Sequence, residues 1–218
     1  MTESWSSGDA YEAYVGRWSR LVAEDFVAWL DVAAGARWLD LGCGTGALTA
    51  TVLARADPAA VVGVDASPAY VEDARRRIEH PAVRFDVMDA AALDFHDAFD
   101  AAVSGLVLNF LPDPAAVVVA MGRVVDRDGV VAAYVWDYAG RMELMRHFWD
   151  AAVAGDESAR PLDEGVRFPL CDPARLTELW QGAGLQAVET TAIDVPTVFV
   201  DSDDYWSPFL GGQGPAPG

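Results

Sequence analysis

The sequence predicts an α/β domain in which helices cover both faces of a doubly wound, mainly parallel sheet. Three observations support this fold class. Apolar runs of strand length alternate along the chain with segments of helical periodicity. Those runs are continuously apolar, as expected for strands that are buried on both faces. A cluster of glycines follows the first run, where a strand would turn into a helix.

Length and composition fit one domain with one hydrophobic core. The chain has 218 residues, of which 52% are apolar and 22% charged. Its formal charge of −19 repels phosphate backbones and anionic lipids, so we expect neither a nucleic-acid nor a membrane partner. The two cysteines, Cys43 and Cys171, are too few for a disulfide framework and lack zinc-site spacing. We therefore expect no metal and a reducing, cytoplasmic setting.

Neither a signal peptide nor a membrane span is expected. The N-terminus has no basic region followed by an apolar stretch. The longest uncharged apolar stretch, residues 101–112, is shorter than the roughly 20 residues that a membrane helix needs.

The first elements are an amphipathic helix and a short strand. Apolar residues recur at three- and four-residue steps from Leu21 to Leu30, which predicts a helix that ends near Asp31. Gly35 interrupts this pattern, and the apolar run Arg37–Leu41 is predicted to be the first strand.

The later elements follow from the same two periodicities. Ser67 and Pro68 mark the start of one helix, because serine caps helix N-termini and proline suits the first turn. The further predicted strands are residues 60–65, 83–89, 99–105, 130–136 and 187–200. The predicted helices are residues 47–56, 68–79, 113–125, 143–154 and 173–182.

These elements divide the chain into three parts. Residues 1–36 are expected to form an N-terminal helical cap and residues 37–210 the α/β domain. Within that domain, the helical segment at about 139–172 follows the fifth strand and is placed to act as a lid. Residues 211–218 are rich in glycine and proline and are expected to be a loop or frayed tail.

The glycine cluster is a candidate ligand loop. Gly42, Gly44 and Gly46 stand at every second position after Leu-Asp-Leu, where side chains would block the approach of a ligand to the backbone. The spacing is not the G-x-G-x-x-G of dinucleotide sites, and no Gly-Lys-Ser/Thr of a phosphate loop is present. A tight strand-to-helix turn without a ligand is the alternative interpretation.

Two acidic residues end the second and third predicted strands. Asp65 closes the second strand, where a fold of this type hydrogen-bonds a ribose diol. Asp89 closes the third and could accept a hydrogen bond from an adenine amino group. A helix-capping or solvated carboxylate is the alternative for each.

The glycine loop, the segments 61–67 and 88–90, and residues 99–112 resemble in order and spacing the motifs of the class I S-adenosylmethionine-dependent methyltransferases. The resemblance covers residues 38–138. The residues within the motifs are similar to those of the small-molecule branch, which includes quinone-biosynthesis enzymes. It implies a Rossmann-like fold, S-adenosylmethionine as cofactor with S-adenosylhomocysteine as product, and a small-molecule methyl acceptor.

The resemblance also implies which residues hold the cofactor. Gly42, Cys43 and Gly44 would pass their backbone along the methionine and ribose, and Asp65 would bind the ribose hydroxyls. Asp40 would support the loop and reach the cofactor amino group through water. The resemblance places Ala66 and Met88 on the two faces of the adenine, and Asp89 and Ala90 at the edge of the adenine. Ser104 would face the sulfonium.

Arg17 lies in a segment, residues 11–20, that resembles sequences covering the cofactor in relatives. A methionine carboxylate favours a guanidinium partner, and Gly16 gives the backbone freedom to fold over, so Arg17 is the predicted partner. Simple packing of the helix by this segment is the alternative.

A general base is needed only if the acceptor must lose a proton. His147, in the lid-like segment, is the candidate base, and exposure on a helix surface is the alternative. Asn109 and Phe110 stand where amino methyltransferases of this fold keep an Asn/Asp-Pro-Pro-Phe/Tyr motif, but Leu111 and Pro112 break that motif. Nucleobase and protein-glutamine acceptors are therefore disfavoured.

The usual seventh, antiparallel strand is missing from the sequence after the sixth, which would expose a sheet edge and favour a homodimer. Two further functions stay open. A non-catalytic module could keep the fold and the cofactor, and a nicotinamide-dependent oxidoreductase shares the sheet topology.

Overall fold

The central feature of the fold is a five-stranded sheet in which every strand pair is parallel, with the strand order β3-β2-β1-β4-β5. The computed structural model describes residues 16–93, 95 and 99–211. The strands are β1 (Arg37–Leu41), β2 (Ala60–Asp65), β3 (Val83–Val87), β4 (Phe99–Gly105) and β5 (Val125–Tyr134). The predicted doubly wound α/β fold is confirmed.

α-Helices connect β1 to β2, β2 to β3 and β4 to β5, as parallel pairing requires, and the described residues between β3 and β4 include the 3₁₀ turn Ala90–Ala92. The α-helices of the described residues are α1 (Arg17–Leu30), α2 (Ala47–Arg55), α3 (Pro68–Arg77), α4 (Pro114–Val124), α5 (Glu143–Gly155), α6 (Glu164–Arg167), α7 (Pro173–Gly182) and α8 (Ser202–Trp206). Ser67 caps α3 as predicted, its hydroxyl accepting from the Tyr70 amide at 3.4 Å. Asp113 caps α4 in the same way. Both α3 and α4 have proline in the first turn.

The centre of the sheet is fully buried. Leu39 and Leu41 of β1 are 0% exposed, as are Val61 and Val64 of β2. Side chains alternate between the two faces along a strand, so Val61 and Val64, three residues apart, point to opposite faces. Their burial shows that both faces of β2 are covered. Each buried aliphatic side chain stabilises the fold by about 1.5–3 kcal/mol. The carboxyl ends of β1, β2 and β4 are thereby fixed relative to one another.

The sheet belongs to one of two compact units of the chain. This unit consists of Ala23–Val135 and Pro173–Ala192. Its β5 edge is covered in part by α7, because the Trp180 indole N–H donates to the Val131 carbonyl at 2.8 Å.

The other unit includes Trp136–Asp172 and the described residues before 23 and after 192. It contains a largely buried ion pair, in which Arg146 donates to both carboxylate oxygens of Asp163 at 3.1 and 2.7 Å. The Trp149 indole donates to the buried Glu164 carboxylate. The Phe148 ring stacks on Phe209 with centroids 4.8 Å apart.

The predicted strand at residues 187–200 is wrong, because these residues carry no regular secondary structure. Ala187 adopts a left-handed φ of 51°, which turns the chain away from an extended path. Pro196 removes a ladder donor. On the β5 edge, the Val131 carbonyl is already bound by Trp180.

The fifth strand begins five residues earlier than the predicted residue 130. The register shifts within the β4–β5 pair, since Phe99 pairs with Val125 and Ala101 with Val130. Residues 126–129 are therefore inserted in the ladder. Over the described ranges, no helix has the length and apolarity to cross a membrane.

Candidate functional site

The glycine loop lies between β1 and α2 and uses left-handed backbone at each of its glycines. The φ angles are 71° at Gly42, 52° at Gly44 and 90° at Gly46. The amides of Gly42 and Cys43 donate to the Val64 carbonyl at 2.8 and 3.0 Å. Because β2 thereby fixes the start of the loop, its later residues lie at the carboxyl end of the sheet, where ligands of α/β folds bind.

Two of the glycines differ in the space around them. A Cβ at Gly42 would lie 2.6 Å from a methyl group of Val107, which no real contact allows. A Cβ at Gly44 would meet no atom within 4 Å. Gly42 is therefore needed for packing, while Gly44 exposes backbone to open space that a ligand could fill.

Asp65 joins the loop to the start of α3. Its two carboxylate oxygens accept from two backbone amides, Gly44 at 3.0 Å and Ser67 at 2.8 Å. The side chain is half-buried, and each oxygen keeps a lone pair for a further donor. A carboxylate fixed in this way at the end of β2 is suited to accept hydrogen bonds from a diol.

Tyr70 is a neighbour of Asp65 that the sequence reasoning missed. Burial and the charge of Asp65 raise the pKa of the Tyr70 phenol. The only sequence signal was its place on the first turn of α3, one turn beyond Ser67.

Asp40 is a buried carboxylate with one oxygen unpaired. It is 1% exposed, and one oxygen accepts from the Thr49 hydroxyl at 2.7 Å. Oδ1 is buried, and no described residue gives it a hydrogen bond. Burial raises the pKa of Asp40 to about 6, with the charge of Asp65 as a smaller cause. Such an oxygen favours a cationic or hydrogen-bond-donating partner.

The segment after β3 is attached to the end of β2, because the Met88 amide donates to the Asp65 carbonyl at 2.9 Å. Met88 and Ala90 are half-buried, whereas Asp89 and Ala66 are exposed. The Asp89 carboxylate accepts from the Ala91 amide at 2.9 Å and caps the short 3₁₀ turn Ala90–Ala92.

Two predicted site residues have buried side chains. The Ser104 side chain is 0% exposed, and its hydroxyl donates to the Leu41 carbonyl at 2.9 Å. It therefore ties the end of β4 to the end of β1. Cys43 is 6% exposed, and burial raises the pKa of its thiol strongly. Cys43 can therefore contribute its backbone, but not its thiol, to a ligand site at the loop.

Arg17 and His147 belong to the unit without the sheet. Arg17 Nη1 contacts Asp204 Oδ1 at 2.8 Å, and the guanidinium lies over the rings of Trp18 and Phe199 at 4.1 and 5.1 Å. Its Nε and Nη2 atoms are buried and have no hydrogen-bond partner in the part of the chain that the structure describes. The His147 side chain is exposed on α5.

The loop, Asp65, Asp40 and the post-β3 segment thus converge at the carboxyl ends of β1, β2 and β3. The open backbone at Gly44 and the unpaired Asp40 oxygen fit an adenosyl cofactor that carries an amino group. Within the described residues, no group of three or more metal-ligating side chains is present.

Comparisons with known proteins match the same part of the chain. A family model described as a methyltransferase domain matches residues 39–133. Trans-aconitate 2-methyltransferase of Methylobacterium nodulans is 35% identical over 62% of this chain and 50% of that protein. Ubiquinone biosynthesis O-methyltransferase of Neisseria meningitidis is 37% identical over 72% of this chain and 66% of that protein. The chain thus spans half to two thirds of the length of these curated relatives.

A solved structure gives the same result. The amino pentose methyltransferase CalS10 of Micromonospora echinaspora, bound to S-adenosylmethionine, is 31% identical with a TM-score of 0.50, covering 62% of this chain and 59% of that one. The predicted resemblance is confirmed, and the chain belongs to the class I S-adenosylmethionine-dependent methyltransferases.

Proposed function

We propose that this chain binds S-adenosylmethionine and transfers its methyl group to a small molecule by in-line displacement. The observation that carries the proposal is the Asp65 carboxylate, held by the amides of Gly44 and Ser67 beside open loop backbone. When bound, the cofactor supplies a methyl group already activated on a sulfonium. The protein then contributes mainly by holding the two reactants in line and excluding water.

The loop and the two aspartates would hold the ribose and methionine parts. Backbone of Gly42, Cys43 and Gly44 would face the ligand, and Asp65 would accept hydrogen bonds from the ribose hydroxyls. Asp40 would interact with the ammonium group, which supplies the partner that its unpaired oxygen lacks.

The post-β3 segment would hold the adenine. Ala66 and Met88 would lie on its faces, with Asp89 and Ala90 at its edge. The bond from Met88 to the Asp65 carbonyl supports this by fixing the segment against the ribose site. Ser104 would act at the sulfonium end by fixing Leu41 through its hydroxyl.

Arg17 would bind the methionine carboxylate. Its buried Nε and Nη2 atoms have no hydrogen-bond partner among the described residues, and this edge of a guanidinium suits a two-point bond to a carboxylate. Asp204 would neutralise the rest of the charge. The helical cap, the α/β domain and the lid-like segment 139–172 remain our proposed domain organisation.

A small carboxylic acid is the acceptor class that we propose, as in the relatives named for trans-aconitate. A carboxylate is already ionised at neutral pH, so its oxygen can attack without a general base. A phenolic acceptor would instead need a base, for which His147 is the candidate. The relative named for ubiquinone biosynthesis makes that the second acceptor class to test.

The first experiment is calorimetric titration with S-adenosylmethionine and S-adenosylhomocysteine, with a nicotinamide dinucleotide as control. We expect the adenosyl ligands alone to bind. Asp65→Asn should weaken binding by about 10- to 150-fold, because it removes charge-assisted hydrogen bonds. Asp86→Asn, on the neighbouring strand β3, is the matched control and should bind normally. An Asp65→Asn variant of normal affinity would refute the ribose assignment.

Turnover is tested with trans-aconitate and a catechol as acceptors. Binding of both adenosyl ligands without methylation of either acceptor would favour the non-catalytic cofactor-binding module. His147→Gln should lower catechol methylation and leave trans-aconitate methylation unchanged if the two acceptor classes differ as proposed.

We also propose a cytoplasmic location and a homodimer. Both described cysteines are free and buried, which is consistent with a reducing compartment. Light scattering of the purified chain tests the dimer, and a monomeric mass would refute it.

A further inference from the structure

The segment that follows β4 has a strained backbone and lies against the glycine loop. Leu106 has a φ of 61°, in the left-handed region that residues with side chains rarely adopt. Its amide donates to the Tyr134 carbonyl at 2.9 Å, which fixes this conformation. The next residue, Val107, occupies the space that a side chain at Gly42 would need. Residues 106–110 therefore border the proposed cofactor site.

Asn109 in this segment has a buried donor with no acceptor. The segment continues as the 3₁₀ turn Leu108–Phe110, in which the Phe110 and Leu111 amides bond back to Val107 and Leu108. The Asn109 Nδ2 atom is buried and has no hydrogen-bond partner within the described residues. Native proteins pair nearly all buried polar groups with protein, water or ligand atoms, so an unpaired amide nitrogen in a segment that packs against the glycine loop is a candidate donor to a ligand.

The other polar side chain at the end of β4 is already satisfied. Ser104 gives its hydroxyl proton to the Leu41 carbonyl. Ser104 thus binds the residue that precedes the glycine loop. Asn109 is left as the side chain with a free donor at the end of β4 and in the turn that follows it. The cofactor's own polar groups have proposed partners in Asp65, Asp40 and Arg17.

We infer that the Asn109 side-chain N–H donates a hydrogen bond to a carboxylate oxygen of the methyl acceptor and so determines acceptor specificity. This inference rests on the proposed function and names a residue that would recognise the acceptor. An uncharged donor suits a carboxylate, because it orients the oxygen without neutralising the charge that makes it nucleophilic.

The test compares Asn109→Leu and Asn109→Asp with the wild-type chain. Leucine keeps the approximate size and removes all polar atoms. Aspartate keeps the shape and replaces the donor by a negative charge. Three quantities are measured: the melting temperature without ligands, the affinity for S-adenosylhomocysteine, and the affinity for trans-aconitate, citrate and malonate with S-adenosylhomocysteine bound.

For Asn109→Leu we expect a melting temperature equal to or above wild type, because an unpaired buried donor is removed. Its S-adenosylhomocysteine affinity should stay within about twofold, and its affinity for the bound carboxylate should fall by about 10- to 150-fold. Asn109→Asp should bind the carboxylate more weakly still, since like charges repel.

Four results would overturn the inference. A clearly lower melting temperature of Asn109→Leu would mean that the amide has a structural partner. A loss of S-adenosylhomocysteine affinity alone would assign the bond to the cofactor. Better carboxylate binding by Asn109→Asp would contradict the donor role. Failure of all three carboxylates to bind the wild-type chain would refute the acceptor chemistry.

The proposed function fails separately, if neither S-adenosylmethionine nor S-adenosylhomocysteine binds. The carboxylate titrations are then made without cofactor, and the same comparison of variants decides the role of Asn109.

Discussion

Asp40→Asn should make the ligand-free chain more stable and its cofactor site weaker. The carboxylate is buried with one unpaired oxygen, and its pKa rises from 3.8 to about 6. A rise of this size means that ionised Asp40 costs about 3 kcal/mol of folding free energy at neutral pH. Asparagine removes that charge but buries an amide nitrogen, so we expect a net gain of about 1–3 kcal/mol.

The gain in folding stability of Asp40→Asn over the wild-type chain should increase with pH. Because the folded-state pKa of Asp40 is raised, its favourable contribution is complete below the unfolded value of 3.8 and is lost as the pH rises through about 6. The stability advantage of Asp40→Asn should therefore be larger at about pH 8 than at about pH 5. Urea unfolding of both chains at these two pH values measures it.

The same substitution, Asp40→Asn, should weaken cofactor binding although it stabilises the ligand-free chain. An ammonium group near Asp40 favours the ionised form, so wild-type affinity for S-adenosylhomocysteine should fall as the pH drops below about 6. Asp40→Asn should bind about 10-fold or more weakly at neutral pH and lose this pH dependence. Thr49→Val is the control: it removes the hydroxyl that stabilises the carboxylate and should move the wild-type transition to higher pH. A less stable Asp40→Asn chain at about pH 8, or an advantage that is constant with pH, would refute this account.

Three other predictions follow from contacts in the same unit and from the thiols. Both Gly42→Ala and Gly44→Ala place a side chain at a left-handed φ, which costs about 1–2 kcal/mol. Gly42→Ala should lose more stability, because its Cβ also meets a valine 2.6 Å away, whereas Gly44→Ala should keep the fold and lose cofactor affinity; thermal melts and calorimetry separate the two. Trp180→Phe should cost about 1 kcal/mol in urea unfolding by removing the indole bond to the β5 edge, and an unchanged midpoint would contradict that role. Cys43 and Cys171 should resist a thiol reagent in the folded chain and react after unfolding, because burial raises both thiol pKa values, that of Cys171 to about 12.

Most of the sheet could be predicted because each strand is specified locally. The bounds of β1, β2 and β4 agree with the sequence prediction, since each is a short apolar run between a glycine or polar loop and a helix signal. The start of α3 was equally clear from Ser67 and Pro68. Parallel pairing then followed from the helical crossovers.

The failed strand shows where local pattern is insufficient. Residues 187–200 alternate well enough to suggest a strand, but a strand also needs a free partner edge. Trp180, from another part of the chain, occupies an acceptor on that edge. Pro196 is a local signal against a strand, but the occupied acceptor on the β5 edge is visible only in the structure, as are the inserted residues of β5.

The places of the candidate site residues in the fold were more predictable than their contacts. The place of Asp65 at the end of β2 follows from topology, but its two backbone donors depend on how the loop and α3 meet in space. Ser104 and Asn109 show the same limit, because only the structure distinguishes a hydroxyl that has an acceptor from an amide that has none.

The contact between Gly42 and Val107 links two positions that are 65 residues apart in the chain. A methyl group at position 42 requires a smaller residue at position 107, so each position limits the substitutions that the other tolerates. In directed evolution for a new acceptor, enlarging or reshaping the turn at residue 107 would therefore also disturb the glycine loop that we propose binds the cofactor. Acceptor range and cofactor affinity should change together along such a series, and libraries that vary residues 109 and 110 while keeping Val107 should separate them.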